Sequence, residues 1–176
     1  MKKNSIALIG FMATGKTTVG KALAKYLGKK YSFIETDKMI IEMVGKPIPS
    51  IFSEEGERKF REYESIVCKK ASRLKRTVIS CGGGVVLDKK NIKNLKKNCH
   101  IVLLTATHEE IYTRTMKDGK ETRPIIDKED PKTEIEMVLN YRKPFYNSAA
   151  ELIIETTGRK IENIVREIAI ATQLKT

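Results

Sequence analysis

The sequence lacks several features, and each shortage excludes something. No run approaches the roughly 20 apolar residues that a membrane-spanning helix needs, so no membrane partner is expected. The early apolar stretch, Ile6 to Ala13 behind Lys2 and Lys3, is short for a signal-peptide core. Lys16 and Lys21 then fall where a small-residue cleavage site would stand, which argues against export. Cysteine is scarce: Cys68, Cys81 and Cys99 form no C-x-x-C pair. An odd count without a signal peptide points to reduced thiols and a cytoplasmic location. Aromatics make up only 6% of residues, with no K/R-G-F-x-F stacking pattern and no zinc-ligand spacing. Base-stacking and zinc-dependent nucleic-acid modules are therefore disfavoured. No repeat, low-complexity block or linker divides the 176 residues, so one monomeric domain over 1–176 is expected.

Positive charge, by contrast, is plentiful. Lysine plus arginine total 34 against 22 acidic residues, a net charge of +12. The lysines are scattered through stretches such as KKNIKNLKK and LGKKY. They read as a solvated basic surface that also draws anionic substrates, and no nucleic acid is expected.

The strongest local signal is GFMATGKT. Gly10, Gly15, Lys16 and Thr17 complete the pattern G-x-x-x-x-G-K-[ST]. SIALI before it is rich in strand formers. KTTVGKALAKYLG after it spaces Val19, Leu23 and Leu27 along one helix face, with Gly28 at its end. A strand, a loop and a helix in that order aim backbone N–H groups and a helix N-terminus at one anion. Ala13, Thr14 and Thr18 belong to the same cradle. Lys16 is placed to reach the β- and γ-phosphates of ATP, and the Thr17 hydroxyl to ligate Mg²⁺.

Apolar runs alternate with amphipathic ones along the rest of the chain. Strands are expected at 5–10, 31–35, 77–81, 100–105 and 151–154. Helices are expected at 16–27, 37–44, 54–74, 108–117, 132–148 and 159–172. This alternation predicts an α/β fold, a parallel sheet covered by helices on both faces. Ligands of such sheets sit beyond the carboxyl ends of the strands. The first three strands each deliver special residues there: the phosphate loop, then Glu35-Thr36-Asp37, then Gly82-Gly83-Gly84.

Asp37 can orient an acceptor hydroxyl or take its proton. Glu35, two residues earlier on the same side, can reach a Mg²⁺-bound water. The plain alternative is that Thr36 or Asp37 caps the next helix. The triple glycine allows a ligand to approach the backbone closely, or is simply a turn. Arg61 lies off the apolar face formed by Phe60, Tyr63, Val67, Ala71 and Leu74. Glu57 and Glu64 stand at i−4 and i+3, so surface ion pairs account for it equally well. KDGKETRPI is polar and breaks helix before Pro124. As a loop closing over nucleotide it would bring Arg123 to the transferred charge. Arg142, in NYRKPFY, can fork onto a carboxylate or cap the last carbonyls of its helix.

Together these stretches resemble shikimate kinase, over nearly the whole chain and in the same order. LIGFMATGKTTVGKALA resembles that family's phosphate loop and first helix, GERKFRE its substrate-binding helix, and TRPI and YRKPFY its later motifs. The resemblance implies a three-layer P-loop fold of sheet order 2-3-1-4-5, a substrate region near 37–64 and a lid near 112–127. It implies that Asp37 is the base for the 3-hydroxyl of shikimate, and that Arg61 and Arg142 hold its carboxylate. It implies that Gly83 and its neighbours Gly82 and Gly84 lend backbone to the acceptor. Arg123 becomes a lid residue on the phosphates, and Arg114 and the segment ETTGR border adenine. One departure stands out: the family shows Asp-Thr-Asp where this chain has Glu35-Thr36-Asp37. The extra methylene carries the first carboxylate about 1.5 Å farther. Gluconate kinase on the same fold, and a kinase-like metabolite sensor without activity, are the competing readings.

Overall fold

The structure, a computed structural model, describes residues 3–118 and 130–174. Five strands, β1 (Ser5–Ile9), β2 (Ser32–Glu35), β3 (Thr77–Ser80), β4 (Cys99–Thr105) and β5 (Leu152–Glu155), pair in the order β2-β3-β1-β4-β5. All four pairings are parallel, so every strand ends at the same edge. β1 is central, and all five of its residues are buried, which is why SIALI reads as one apolar run. Its side chains still alternate. Ile6 and Leu8 face Val19, Leu23 and Leu27 of α1 (Lys16–Leu27) and Ile164, Val165 and Ile168 of α7 (Ile161–Thr172). Ala7 and Ile9 face the opposite layer. That layer comprises α3 (Ile48–Ala71), α4 (Lys89–Leu95), α5 (His108–Asp118) and α6 (Pro131–Ala149). The short helix α2 (Thr36–Val44) packs with α3 through Ile40, Ile51 and Phe60 as a separate small core. Among the described residues no helix is long and apolar enough to cross a membrane.

Several boundaries differ from the sequence expectation. β1 stops at Ile9 rather than residue 10, because Gly10 already turns into the loop with φ 143°. β5 runs one residue later than 151–154, its register set by pairing Leu152 with Val102. The helix expected at 54–74 begins at Ile48, kinks at Gly56 (φ 80°, ψ 167°) and ends at Ala71. Leu74 therefore leaves the expected apolar face: it is 39% exposed, and its carbonyl accepts from Ser5 Oγ and Asn98 Nδ2 at the foot of the sheet. A helix over Lys89–Leu95 was not expected at all. It is one short, lysine-dominated element held by Ile92 and Leu95 in the core and by Asp88, whose carboxylate caps it by accepting from the Lys90 N–H at 2.8 Å. The Asp88 cap and the i, i+3 apolar pair were the only local signals for it.

Candidate active site

The phosphate loop is shaped by positions that accept no ordinary side chain. A β-carbon on Gly10 would stand 2.3 Å from the Leu104 carbonyl oxygen, a backbone atom that cannot step aside. Thr14, buried, closes the loop by donating to the Phe11 carbonyl at 2.8 Å. The sequence pattern leaves position 13 open, but the fold does not: Ala13 sits at φ 58°, in the left-handed region. Its carbonyl accepts from Arg114 Nη1 at 3.2 Å. Thr156 donates to the Thr14 carbonyl at 3.2 Å. Arg114 and the ETTGR segment thus brace the loop from behind, and Arg114, Thr156 and Arg159 line the same cleft as the loop. Lys16 Nζ lies across the loop mouth, donating to Gly10 O at 2.9 Å and Phe11 O at 2.7 Å. Thr18 is exposed at the start of α1.

Beside Lys16, the Thr17 hydroxyl donates to Glu35 Oε1 at 2.7 Å. Burial works to raise the Glu35 pKa, but hydrogen bonds from Lys38 and Thr17 outweigh it and leave the carboxyl below its ordinary value. A hydroxyl and an ionised carboxylate side by side fit a magnesium ion that takes its remaining ligands from phosphate and water. No group of three or more acidic, histidine or cysteine ligands occurs among the described residues, so a cage made by the protein alone is not offered.

The other end of the cleft is built around the triple glycine. Thr36 does not cap α2; its hydroxyl accepts from the Gly82 N–H at 2.9 Å and ties the end of β2 to that of β3. Asp37 does not cap either, since the N-cap residue is Glu35 and no side chain bonds there. Asp37 is part-exposed as a residue, but its Oδ1 is shut from solvent without a hydrogen-bond partner. Burial raises its pKa, Lys16 opposes this, and Glu35 adds to it.

Arg61 forms both ion pairs anticipated from spacing, to Glu57 at 3.0 Å and Glu64 at 2.8 Å. The Glu57 pair is an exposed surface pair, but the Glu64 pair is not. Glu64 is 1% exposed, and its other oxygen, Oε1, has no hydrogen-bond partner. Burial raises the Glu64 pKa, Arg61 lowers it, and Asp37 raises it further. Glu64 went unmarked as a site residue from sequence. Its signal was a carboxylate three residues before Val67 on the same buried stripe. Arg142 lies mid-helix and buried rather than at the end of α6. It donates to the Gly83 carbonyl at 3.3 Å instead of capping carbonyls of its own helix, and its Nε has no hydrogen-bond partner. Tyr146, also unmarked from sequence, donates to the same carbonyl at 2.5 Å, and burial pushes its hydroxyl up to about 12.

Most of these groups line one cleft of about 610 Å³ that runs from Arg159 past Lys16 to Arg61; Thr36, Glu57 and Tyr146 stand outside its lining. Of the residues individually expected to bind or catalyse, all but Gly10 and Arg123 line it. Gly10 lies at the foot of the loop, and Arg123, with 119–127 of the expected lid, lies outside the described residues. Residues 112–118 of that expected lid are the end of α5. The glycines keep this end of the cleft open. A β-carbon on Gly84 would lie 2.0 Å from Arg61 Nη1, and one on Gly82 would lie 2.6 Å from Asp37 Oδ1. Gly84→Ala is expected to displace the flexible Arg61 guanidinium rather than the fold. Its thermal midpoint should stay near that of the parent while the acceptor KM rises about ten-fold or more, a charged hydrogen bond being worth ~1.5–3 kcal/mol. An unchanged KM would show that Arg61 does not need its present place.

Comparison with known proteins agrees with this geometry. A family model described as "Shikimate kinase" matches residues 12–173. A shikimate kinase of Caldanaerobacter subterraneus subsp. tengcongensis is 43% identical over 164 residues, covering 93% of each chain. A shikimate kinase of Acinetobacter baumannii, solved in complex with shikimate, superposes with a TM-score of 0.90 at 33% identity, covering 98% of this chain and 96% of that one. A gluconokinase of Sinorhizobium meliloti superposes with a TM-score of 0.62 at 15% identity over 98% of this chain and 93% of that one, a likeness of fold alone.

Proposed function

The chain belongs to the shikimate kinase family, and from that premise we propose how its cleft moves the γ-phosphoryl group of ATP to the 3-hydroxyl of shikimate. The products are shikimate 3-phosphate and ADP. One observation carries the assignment of the acceptor end. Asp37 Oδ1, Glu64 Oε1 and Arg142 Nε are buried polar atoms with no partner among the described residues, and all three belong to residues lining the cleft. Buried polar groups are ordinarily satisfied, and leaving one unmade costs ~1–3 kcal/mol. A ligand with hydroxyl donors and one carboxylate satisfies both kinds of atom, carboxylate oxygens on one side and guanidinium N–H on the other.

In this reading Arg61 and Arg142 hold the acceptor carboxylate and fix the ring against the glycine backbone. Asp37 receives the hydrogen bond of the 3-hydroxyl and takes its proton as the oxygen attacks the γ-phosphorus. The bond from that phosphorus to the β-phosphate bridging oxygen breaks, and ADP leaves. Lys16 turns from the loop carbonyls to the phosphates and offsets the charge on the transferring group. Thr17, with Glu35 acting through water, would hold Mg²⁺, which supplies further charge neutralisation at the β- and γ-phosphates when bound. The loop backbone, braced by Arg114, sets ATP in line, so that positioning and electrostatics supply most of the rate. Arg123 and the remainder of the lid rest on the TRPI motif.

The direct test follows ADP release by the purified protein with Mg-ATP and a panel of acceptors: shikimate, gluconate, nucleoside monophosphates and none. Release stimulated by shikimate alone is expected. Stimulation by gluconate instead would move the protein to the rival acceptor, and no stimulation by any would favour a sensor.

A further inference from the structure

The charge of this chain is concentrated at one place in the fold, away from the cleft. Residues 69–97 contain ten of the 34 lysines and arginines and one of the 22 acids, Asp88. Their balance is 10 − 1 = +9, against 24 − 21 = +3 for all the rest of the chain. In sequence this stretch is interrupted by the whole of β3 and the glycine turn. In the fold its two halves lie side by side. The end of α3 and the turn after it carry Lys69, Lys70, Arg73, Lys75 and Arg76. Helix α4 and its exit carry Lys89, Lys90, Lys93, Lys96 and Lys97. The halves are joined by Ser65 Oγ donating to Asp88 Oδ2 at 3.2 Å, Cys68 Sγ to Asn91 O at 3.7 Å and Asn98 Nδ2 to Leu74 O at 2.6 Å.

Among the described residues no acid neutralises this surface. Nine of the ten basic residues are exposed and Lys96 is half-buried. Among the described residues none of them forms an ion pair. Asp88 is already engaged in capping α4. The patch centres on the N-terminal edge of the sheet: the Arg76 carbonyl accepts from the Ser32 N–H at the start of β2, and the Asn98 carbonyl from the Ser5 N–H at the start of β1. The cleft lies at the other edge, a strand length of about 15 Å away. Occupation of one need not obstruct the other.

We propose that this basic pole docks the phosphodiester backbone of nucleic acid without regard to base sequence. The scattered lysines of the sequence thus become a single electrostatic footprint once folded. Residues 69–97 contain no aromatic side chain on which a base could stack, so contact is through cations to phosphates, which carry no base sequence. A lipid surface is the poorer fit, because Leu74 is the one large exposed apolar side chain in this stretch that could insert.

The test measures fluorescence anisotropy of a labelled 20-nucleotide RNA against the full chain from low to physiological salt. Binding is expected to weaken with salt at a log–log slope of about −3.5 or steeper, as for five neutralised phosphates on a single strand. A variant carrying Lys75→Gln, Arg76→Gln, Lys93→Gln and Lys97→Gln should bind at least about ten-fold more weakly and lose about 3 from the slope. A control carrying Lys132→Gln, Lys143→Gln, Lys160→Gln and Arg166→Gln has the same net charge and should retain binding. Shikimate-dependent ADP release should be unchanged in the pole variant, which separates this surface from the catalytic reading. Equal weakening in both variants, no binding, or capture by phosphatidylserine vesicles that RNA does not compete with would each overturn the proposal.

Discussion

Asp37→Asn is expected to lower kcat by about 10²–10⁴-fold, the usual contribution of a positioned general base, while ATP affinity stays within a few fold. The separation follows from the geometry. In the proposed arrangement ATP is held by the loop, Lys16, Arg114 and Thr156, and no described hydrogen bond joins any of these to Asp37. Asparagine keeps the shape of the side chain and can still receive a hydroxyl hydrogen bond, but it cannot accept the proton. The pH profile of the parent carries a second signature. Burial raises the Asp37 pKa, so the protonated, inactive form should persist to higher pH than for an ordinary carboxylate. The acidic limb of kcat should be displaced upward accordingly, and Asp37→Asn should remove it. Stability should move the other way from activity. A carboxyl whose folded pKa is raised contributes stability that is full below its unfolded value and lost as pH rises through the raised one. Above the unfolded value the buried Asp37 carboxyl is therefore a cost to the fold, and the asparagine variant should melt at a higher temperature without ligands. Turnover equal to the parent's would remove Asp37 as base and as orienting group.

Arg142→Ala is expected to act on the acceptor almost alone. Truncating one partner of a buried, hydrogen-bonded charge pair costs ~2–5 kcal/mol, which corresponds to a rise in the shikimate KM of about 30-fold or more. Arg142→Lys should recover only part of this loss, because an ammonium cannot reproduce the planar fork that engages both carboxylate oxygens. The ATP KM should barely move, since the described Arg142 bond is to Gly83 on the acceptor side. Calorimetry of shikimate binding reads the effect directly. A normal shikimate affinity in Arg142→Ala would assign the carboxylate elsewhere and leave the unpartnered Nε without a role.

The donor half of the reaction is written locally. Gly10, Gly15, Lys16 and Thr17 lie within eight consecutive residues, so the chemistry of the phosphate loop needs no distant partner to be recognised. The strand–helix alternation is local as well, because a buried parallel strand and an amphipathic helix each carry their own periodicity. Those signals were enough for the α/β class, and the resemblance carried by the later motifs for the sheet order.

Local periodicity could not say which of two roles a polar residue takes when both are compatible with its neighbours. Asp37 as cap or base, Arg61 as surface pair or pocket wall, and Arg142 as C-cap or fork all turned on what approaches from another strand or helix. The folded chain removes the cap readings of Asp37 and Arg142 and puts Arg61, still ion-paired, in the cleft lining, through contacts of high sequence separation such as Thr36 with Gly82 and Arg142 with Gly83. Glu64 shows the same limit from the other side, since a carboxylate on an apolar stripe has no reading until its surroundings are known. The basic pole is a third case. Charges on Arg76 and Lys97 are 21 positions apart in the chain and become neighbours only because α3 and α4 pack side by side. What the sequence determined by itself was most of the elements, though not the helix Lys89–Leu95, and the pattern of the phosphate loop, which depend on short-range pattern. What the tertiary structure decided was the environment of each charged group, because burial and electrostatic pairing are properties of the space around a residue and not of its neighbours along the chain.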